Sequence, residues 1–200
     1  ELPEDNLLRQ PIFNIQKSGQ KAADIVQDLL TLARRGVITS DVLNLNDIVD
    51  EYLGSPEHER LKAFYAGVQI ETNLDCELLN IKGSSFHLRK TVMNLVSNAA
   101  EAQVAGGKIT LLTRNQYIDR PIKGYENIHE GDYVVLEVSD TGIGIATEEL
   151  NRIFEPFYTK KVMGRSGTGL GMAVVWGTIQ DHRGYIDIES KEGQGTTFYL

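Results

Sequence analysis

Eight positions near the start of the chain, Leu8, Ile12, Ile15, Gly19, Ala22, Val26, Leu29 and Ala33, are separated alternately by four and three residues. That spacing is a heptad seam, which places all eight on one stripe of a helix. A single helix cannot bury such a stripe by itself. The segment therefore needs either a partner helix, and no matching heptad helix precedes it in this sequence, or a docking surface on the domain that follows. Pro11 suits a first turn and not an interior, so the regular helix is expected to start there. "ARRG", residues 33–36, supplies a cationic last turn and a glycine stop.

Beyond Gly36 the pattern is mixed. "VLNLNDIVDEYL" reads as a short strand running into a helix, and "EHERLKAFYA" as further helical turns. "VQIETNL", "LLNIKG", "KITLLTRNQYI" and "DYVVLEVSD" read as strands, the last two joined by a polar excursion containing Pro121, Gly124 and Gly131. The segment from Ser84 has a Ser N-cap and carries Leu88, Val92, Leu95, Val96 and Ala99 at helical spacing. "TEELNRIF" reads as a short helix, "GLGMAVVWGTIQDHRG" as a helix ended by Gly184, and the last sixteen residues as a hairpin. The sum is an α+β domain: a mixed, mostly antiparallel sheet covered on one face by helices, preceded by one long helix.

With 200 residues the chain can bury a real core, and its formal net charge of −8 argues against nucleic acid or an anionic membrane as a partner. No apolar run approaches the ~18 residues of a membrane span. The single cysteine, Cys76, allows no intrachain disulfide and is expected to be a buried small hydrophobe in a reducing, cytoplasmic setting.

Against that acidic background, residues 158–168 hold Lys160, Lys161 and Arg165 with no acidic side chain. Gly164, Gly167, Gly169 and Gly171 follow among them and lead straight into an apolar helix. A helix start has unpaired N–H groups and a partial positive charge, and glycines let the backbone close on an anion. The stretch reads as a phosphate cradle or as a surface loop whose glycines make turns. It is not a P-loop, since Gly107-Lys108 continues to Ile109, and "GTGLG" does not follow a strand as a dinucleotide fingerprint does. In "VSDTGIGI", a strand delivers Asp140 to a tight turn at Gly142 and Gly144. Its carboxylate could accept from the exocyclic amine of adenine, or the stretch could be an ordinary Asp-Gly turn. In "NLVSNAAEA", Asn94 and Asn98 share a helix face. Their amide oxygens suit Mg²⁺, or the face is simply solvated.

These elements, taken in order, make the chain similar to the ATP-binding catalytic domain of sensor histidine kinases, of the Bergerat-fold ATPase group. "NLVSNAAEA" matches the N box, "DTGIGI" the first glycine box, "FEPFYTKK" the phenylalanine box and "GTGLGMAVV" the second glycine box, while "ARRG" and "GQGTTF" also fit. The style is that of nitrogen-regulator-like and hybrid sensor kinases. The resemblance implies that Asn98 coordinates Mg²⁺, Asn94 lines the phosphate side and Asp140 reads the adenine amine. Gly142, Gly144 and Ile145 would shape the base pocket, with Thr196 supporting Asp140. Residues 158–168, including Lys160, Lys161 and Arg165, would form the ATP lid. Thr168, Gly169, Leu170 and Gly171 would offer backbone donors to phosphates, and Phe154 and Phe157 would anchor the lid to the core. Many relatives carry a basic residue where this chain has Glu101.

By the same resemblance, residues 1–36 would be the second helix of a dimerisation and phosphotransfer hairpin, and residues 37–200 the catalytic domain. The phosphoacceptor histidine would lie before Glu1. His58 in "HERL" has a faint look of the family's histidine motif but follows the dimerisation helix instead of opening the hairpin. His87, His129 and His182 read as surface or helix-end residues. The chain thus reads as an excised piece that binds Mg-ATP without phosphorylating itself, with a response-regulator receiver as partner and a homodimer formed through the hairpin. The rival is a non-kinase Bergerat ATPase acting as an ATP-gated clamp, which usually has Glu in place of Asn94 to activate water.

Overall fold

A computed structural model of the chain describes residues 8–33, 41–104, 106–159 and 168–200. The Arg34–Gly36 stop and the lid residues Lys160, Lys161, Gly164, Arg165 and Gly167 lie outside the described residues.

The elements in order are α1 (Arg9–Ala33), β1 (Asp41–Leu43), α2 (Leu45–Leu53), α3 (Pro56–Phe64), β2 (Val68–Leu74), β3 (Ile81–Gly83), α4 (Ser85–Glu101) and β4 (Gly107–Ile118). There follow β5 (Ile122–Lys123), β6 (Asn127–Ile128), β7 (Gly131–Asp140), α5 (Gly171–Asp181), β8 (Asp187–Lys191) and β9 (Gly195–Tyr199). α1 starts at Arg9, two residues before Pro11, which stays within the first turn where no backbone donor is needed. Side chains of Asn44, Ser55 and Ser84 cap α2, α3 and α4, and Pro56 opens α3.

The main sheet has the order β2-β4-β7-β9-β8, with β2 parallel to β4 and every other pair antiparallel. The period of two along a strand turns Ile109, Leu111 and Thr113 of β4 and Leu136 and Val138 of β7 toward the helices, where all are buried. They meet Val49 and Tyr52 of α2, Val92, Leu95 and Val96 of α4, and Val175 and Ile179 of α5 in one core. Each such apolar side chain contributes about 1.5–3 kcal/mol on burial. The same alternation makes Asp140 the next inward position after Val138. A carboxylate thus stands at the edge of an apolar layer, and that is what locates the site.

α1 divides along its length. Near its C-terminal end, Asp28 is buried and lies 3.1 Å from Lys90 Nζ of α4, and Leu32 lies over Gly177 of α5. Leu8, Ile12, Ile15 and Val26 of the seam remain exposed. Asp28 and Leu32 lie off the seam, so α1 docks through a neighbouring face while the described seam residues from Leu8 to Leu29 all stay exposed.

Three further expectations change. "TEELNRIF" forms only a 3₁₀ turn, Thr147–Glu149, continued as loose turns; no side chain caps it at Ala146, and Pro156 has no N–H to extend it. Cys76 is exposed, because the turn opened by Asp75, whose carbonyl accepts from Leu78 N and whose Oδ1 accepts from Glu77 N, pushes it outward. The left-handed residue ending α5 is Arg183, at φ 56°, and Gly184 N closes the cap on Ile179 O at 2.9 Å.

His182, at the end of α5, accepts from Ser84 N through Nε2 at 2.9 Å, and its Nδ1 lies 2.7 Å from Thr178 O. The pattern requires the proton on Nδ1 and joins the end of α5 to the start of α4. His182→Ala is expected to lower unfolding free energy by about 1–3 kcal/mol in denaturant titration, since it strands the Ser84 donor. His182→Asn should recover part of the loss.

Candidate nucleotide-binding site

Asp140 ends β7 with 8% of its surface exposed. The backbone turns over its carboxylate, and Gly142 N donates to Oδ1 at 2.7 Å. A Cβ at Gly142 would stand 2.8 Å from that oxygen and 2.7 Å from Ala102 Cβ, so only glycine lets the chain pass between carboxylate and helix. Burial pushes the Asp140 carboxyl above its ordinary range, while the N–H groups of Gly142 and Thr196 pull it back. Two carboxylate oxygens offer about four acceptor positions. These two donors leave acceptor capacity for a ligand N–H.

The rest of the turn is held on both sides. Ile143 N donates to Ala102 O at 3.1 Å, just past α4. On the other side Gly193 N donates to Ile143 O at 2.8 Å, and Ile145 N donates to Ser190 Oγ at 2.8 Å. Gly144 takes φ +69°, and a Cβ there would lie 2.2 Å from Lys191 O. Thr196 is the register partner of Asp140, but its hydroxyl pairs with Ser190 Oγ at 2.8 Å; its contribution to Asp140 comes from the backbone.

Asn94 and Asn98 lie one turn apart on α4, both half-buried. Asn94 Nδ2 donates to Gly171 O at 3.0 Å, which ties α4 to the start of α5 and leaves the amide oxygen available. Among the described residues no hydrogen bond engages the Asn98 amide. Leu170 is fully buried at the N-cap of α5 and brings no side-chain acceptor to its first-turn N–H groups, which suits an anion. Thr168 Oγ1 instead accepts from Leu170 N at 3.2 Å, and Phe157 N donates to Gly169 O at 2.9 Å, joining the residues that flank 158–168.

Of the residues singled out from the sequence, the structure gathers Asp140, Gly142, Gly144, Ile145 and Thr196 at the end of β7. It gathers Asn94, Thr168, Gly169, Leu170 and Gly171 at the start of α5. α4 joins the two groups, with Asn98 one turn before Ala102. Phe154 packs its ring on Trp176 and Tyr125, as an anchor should. Phe157 does not: at φ 67° it turns outward and is 63% exposed, because its backbone is committed to Gly169. Ala102, Ser190 and Gly195 escaped the sequence reading as site residues. Only Gly195, in "GQGTTF", had a sequence signal; the other two act through a carbonyl and a hydroxyl that no motif marks.

The arrangement fits magnesium ATP. Asp140 offers a buried acceptor for an amine, Gly142 leaves the space a side chain would fill, and the α5 start presents N–H groups. No group of three His, Cys, Asp or Glu among the described residues could hold a metal ion. An amide oxygen such as that of Asn98 is of the hard type that suits Mg²⁺, and phosphates and water would complete the shell.

A sheet that delivers a buried aspartate to a glycine turn, facing an asparagine-bearing helix, defines a nucleotide-binding ATPase domain. The chain belongs to the histidine kinase-, DNA gyrase B-, and HSP90-like ATPase family, whose profile matches residues 83–200. It is 39% identical over 192 residues to the sensor kinase CckA of Brucella abortus (strain 2308), an alignment covering 94% of this chain and 20% of that protein. The catalytic domain of histidine kinase ThkA, in a nucleotide-free form, matches with a TM-score of 0.61 at 27% identity, covering 80% of this chain and 92% of that one. Full-length ShkA in complex with AMPPNP shares the fold with a TM-score of 0.73 at 23% identity, covering 99% of this chain and 39% of that one. ThkA in complex with the response regulator protein TrrA gives 0.68 at 23%, over 99% and 52% of the two chains. The domain is thus of the sensor histidine kinase kind, and it spans a fifth of the length of CckA.

Proposed function

We propose that this chain binds Mg-ATP as the catalytic part of a sensor histidine kinase, whose intact form passes the γ-phosphoryl to a histidine and then to a receiver aspartate. The observation that carries the reading is the buried Asp140 carboxylate, half-satisfied by backbone N–H groups and open to one more donor. In this reading Asp140 selects adenine and Gly142, Gly144 and Ile145 bound the base. Asn98 ligates Mg²⁺ beside Asn94, and the backbone of Thr168–Gly171 receives phosphates. Lys160, Lys161 and Arg165 would add charge from the lid. Phosphoryl transfer rests on such positioning and charge neutralisation more than on a covalent role for the protein.

The acceptor histidine is expected from another helix. His58 is buried at 5% exposure against the Tyr52 ring and presents no nucleophile to solvent. The open seam of α1, Leu8 to Val26, supports a homodimer built by pairing that helix. The TrrA complex of ThkA supports a response-regulator partner, and the AMPPNP complex of ShkA supports the nucleotide. No helix among the described residues is long and apolar enough to cross a membrane, and a cytoplasmic placement is part of the same proposal.

Calorimetric titration of the purified chain is expected to show one site for ATP with magnesium and a clear preference over GTP. Silence toward every adenine triphosphate would sink the reading. Asn98→Ala is expected to abolish most of the Mg²⁺ dependence of ATP binding while metal-free binding persists; an unchanged dependence rejects Asn98 as the ligand. Adding a histidine-bearing helix in trans with γ-labelled ATP should give acid-labile label on that helix. Steady phosphate release without such a helix would point to the clamp ATPase instead.

A further inference from the structure

The excursion between β4 and β7 has no part in the site as described, yet it is fastened to the site's back. Tyr125 N donates to Asp187 Oδ1 at 2.7 Å. Glu126 takes Ile186 N on Oε2 and Gln180 Nε2 on Oε1, both at 2.8 Å. Gly124 lies so close to Asp187 that a Cβ would stand 2.5 Å from its carboxylate. These bonds tie the excursion to β8 and to the C-terminal half of α5. They also insert the Tyr125 ring against Phe154, at 5.3 Å between centroids, and against Trp176, at 5.8 Å; Phe154 and Trp176 are themselves 5.1 Å apart. Edge-to-face rings at these distances attract beyond their buried area.

Phe154 begins the segment that leads to Phe157, and Phe157 N holds Gly169 O two residues before α5. Trp176 sits on α5 itself. The geometry points to Tyr125 as a positioning residue for the phosphate end of the nucleotide site: its ring wedges Phe154 against Trp176, and so sets the Phe157–Gly169 closure and the first turn of α5. This rests on the reading of that helix start as the phosphate-facing part of an ATP site. The role belongs to the ring. The backbone bonds of Tyr125 and Glu126 serve to hold it in place.

The chain's single tryptophan, Trp176, supplies a built-in reporter. In the wild type, Mg-ATP is expected to change Trp176 emission. Tyr125→Leu should lower Mg-ATP affinity about tenfold, the order that one lost aromatic contact reaches. AMP affinity, set at the Asp140 end, should move less than twofold, and the ATP-induced change in emission should shrink. Tyr125→Phe, which keeps the ring, should restore both. Equal losses for ATP and AMP, or no rescue by phenylalanine, would mean a merely structural residue and overturn the assignment. Unaltered ATP affinity in Tyr125→Leu would also overturn it. Wild-type binding of ATP is measured in the same titrations, so failure of the ATP reading shows there and is distinct from failure of the Tyr125 assignment.

Discussion

Asp140→Ala is expected to weaken ATP by about 1.5–3 kcal/mol, the range for a hydrogen bond to a charged group, and to erase the preference for ATP over GTP. The effect is large because the carboxylate is buried and already oriented. Gly142 N holds one oxygen, so the acceptor facing the ligand needs no reorganisation. Titrating wild type and variant with both nucleotides measures it, and an ATP preference surviving in Asp140→Ala would remove this residue from base recognition.

The same residue carries a pH signature. Burial raises its folded-state pKa above the unfolded value, so the folded chain binds the proton more tightly than the unfolded one. The stability that follows is complete below the unfolded pKa and is lost as pH rises through the folded one. At neutral pH the ionised carboxylate therefore costs stability. Asp140→Asn keeps the shape and an acceptor for Gly142 N but removes the charge. It is expected to melt above the wild type at pH 7 without nucleotide, with the advantage narrowing as pH falls through the carboxylate range. It should also bind ATP poorly, because an amide must then present its own N–H or forfeit the Gly142 bond. A lower melting temperature for Asp140→Asn at pH 7 would show that burial is not the governing effect.

Gly195→Ala should produce the largest loss of stability. Gly195 has φ +96°, and a Cβ there would lie 1.9 Å from Asp140 O, 2.8 Å from Asp140 C and 3.0 Å from Thr141 Cα. All three are backbone atoms of the paired strand, so no side chain can swing away. Either β9 moves off β7 at the Asp140–Thr196 pair, or the residue bears both clash and left-handed strain. A loss of at least about 3 kcal/mol is expected in denaturant titration, with nucleotide binding falling as Asp140 is displaced. By contrast, Gly193→Ala should cost much less. Gly193 also has positive φ, at 75°, but a Cβ there meets nothing within 4 Å. A near-wild-type midpoint for Gly195→Ala would refute the close approach itself.

Several features were legible in the residues alone because the physics behind them is local. Alternation marked β2 at Val68–Leu74 to the residue, and the Ser84 cap with helical spacing marked α4. Glycine placement marked the turn after Asp140 and the start of α5. The four boxes, read in order, named the family that the profile over residues 83–200 also gives. What stayed hidden was non-local. Periodicity could show that Leu8 to Ala33 form a stripe, but only packing decides that α1 docks through Asp28 and Leu32, off that stripe, while the stripe from Leu8 to Leu29 stays open. A phenylalanine in an aromatic motif reads as an anchor. Whether its ring goes in, as at Phe154, or out, as at Phe157, depends on a backbone bond to a glycine twelve residues away. Ser190 and Ala102 support the Asp140 turn through groups every such residue possesses, so residue type carries no trace of the role. Sequence therefore determined the elements and the candidate residues of the proposed site, since those follow from short-range sterics and side-chain chemistry. Tertiary structure alone decided which groups hold them in place, because that depends on distances between segments that no local rule contains.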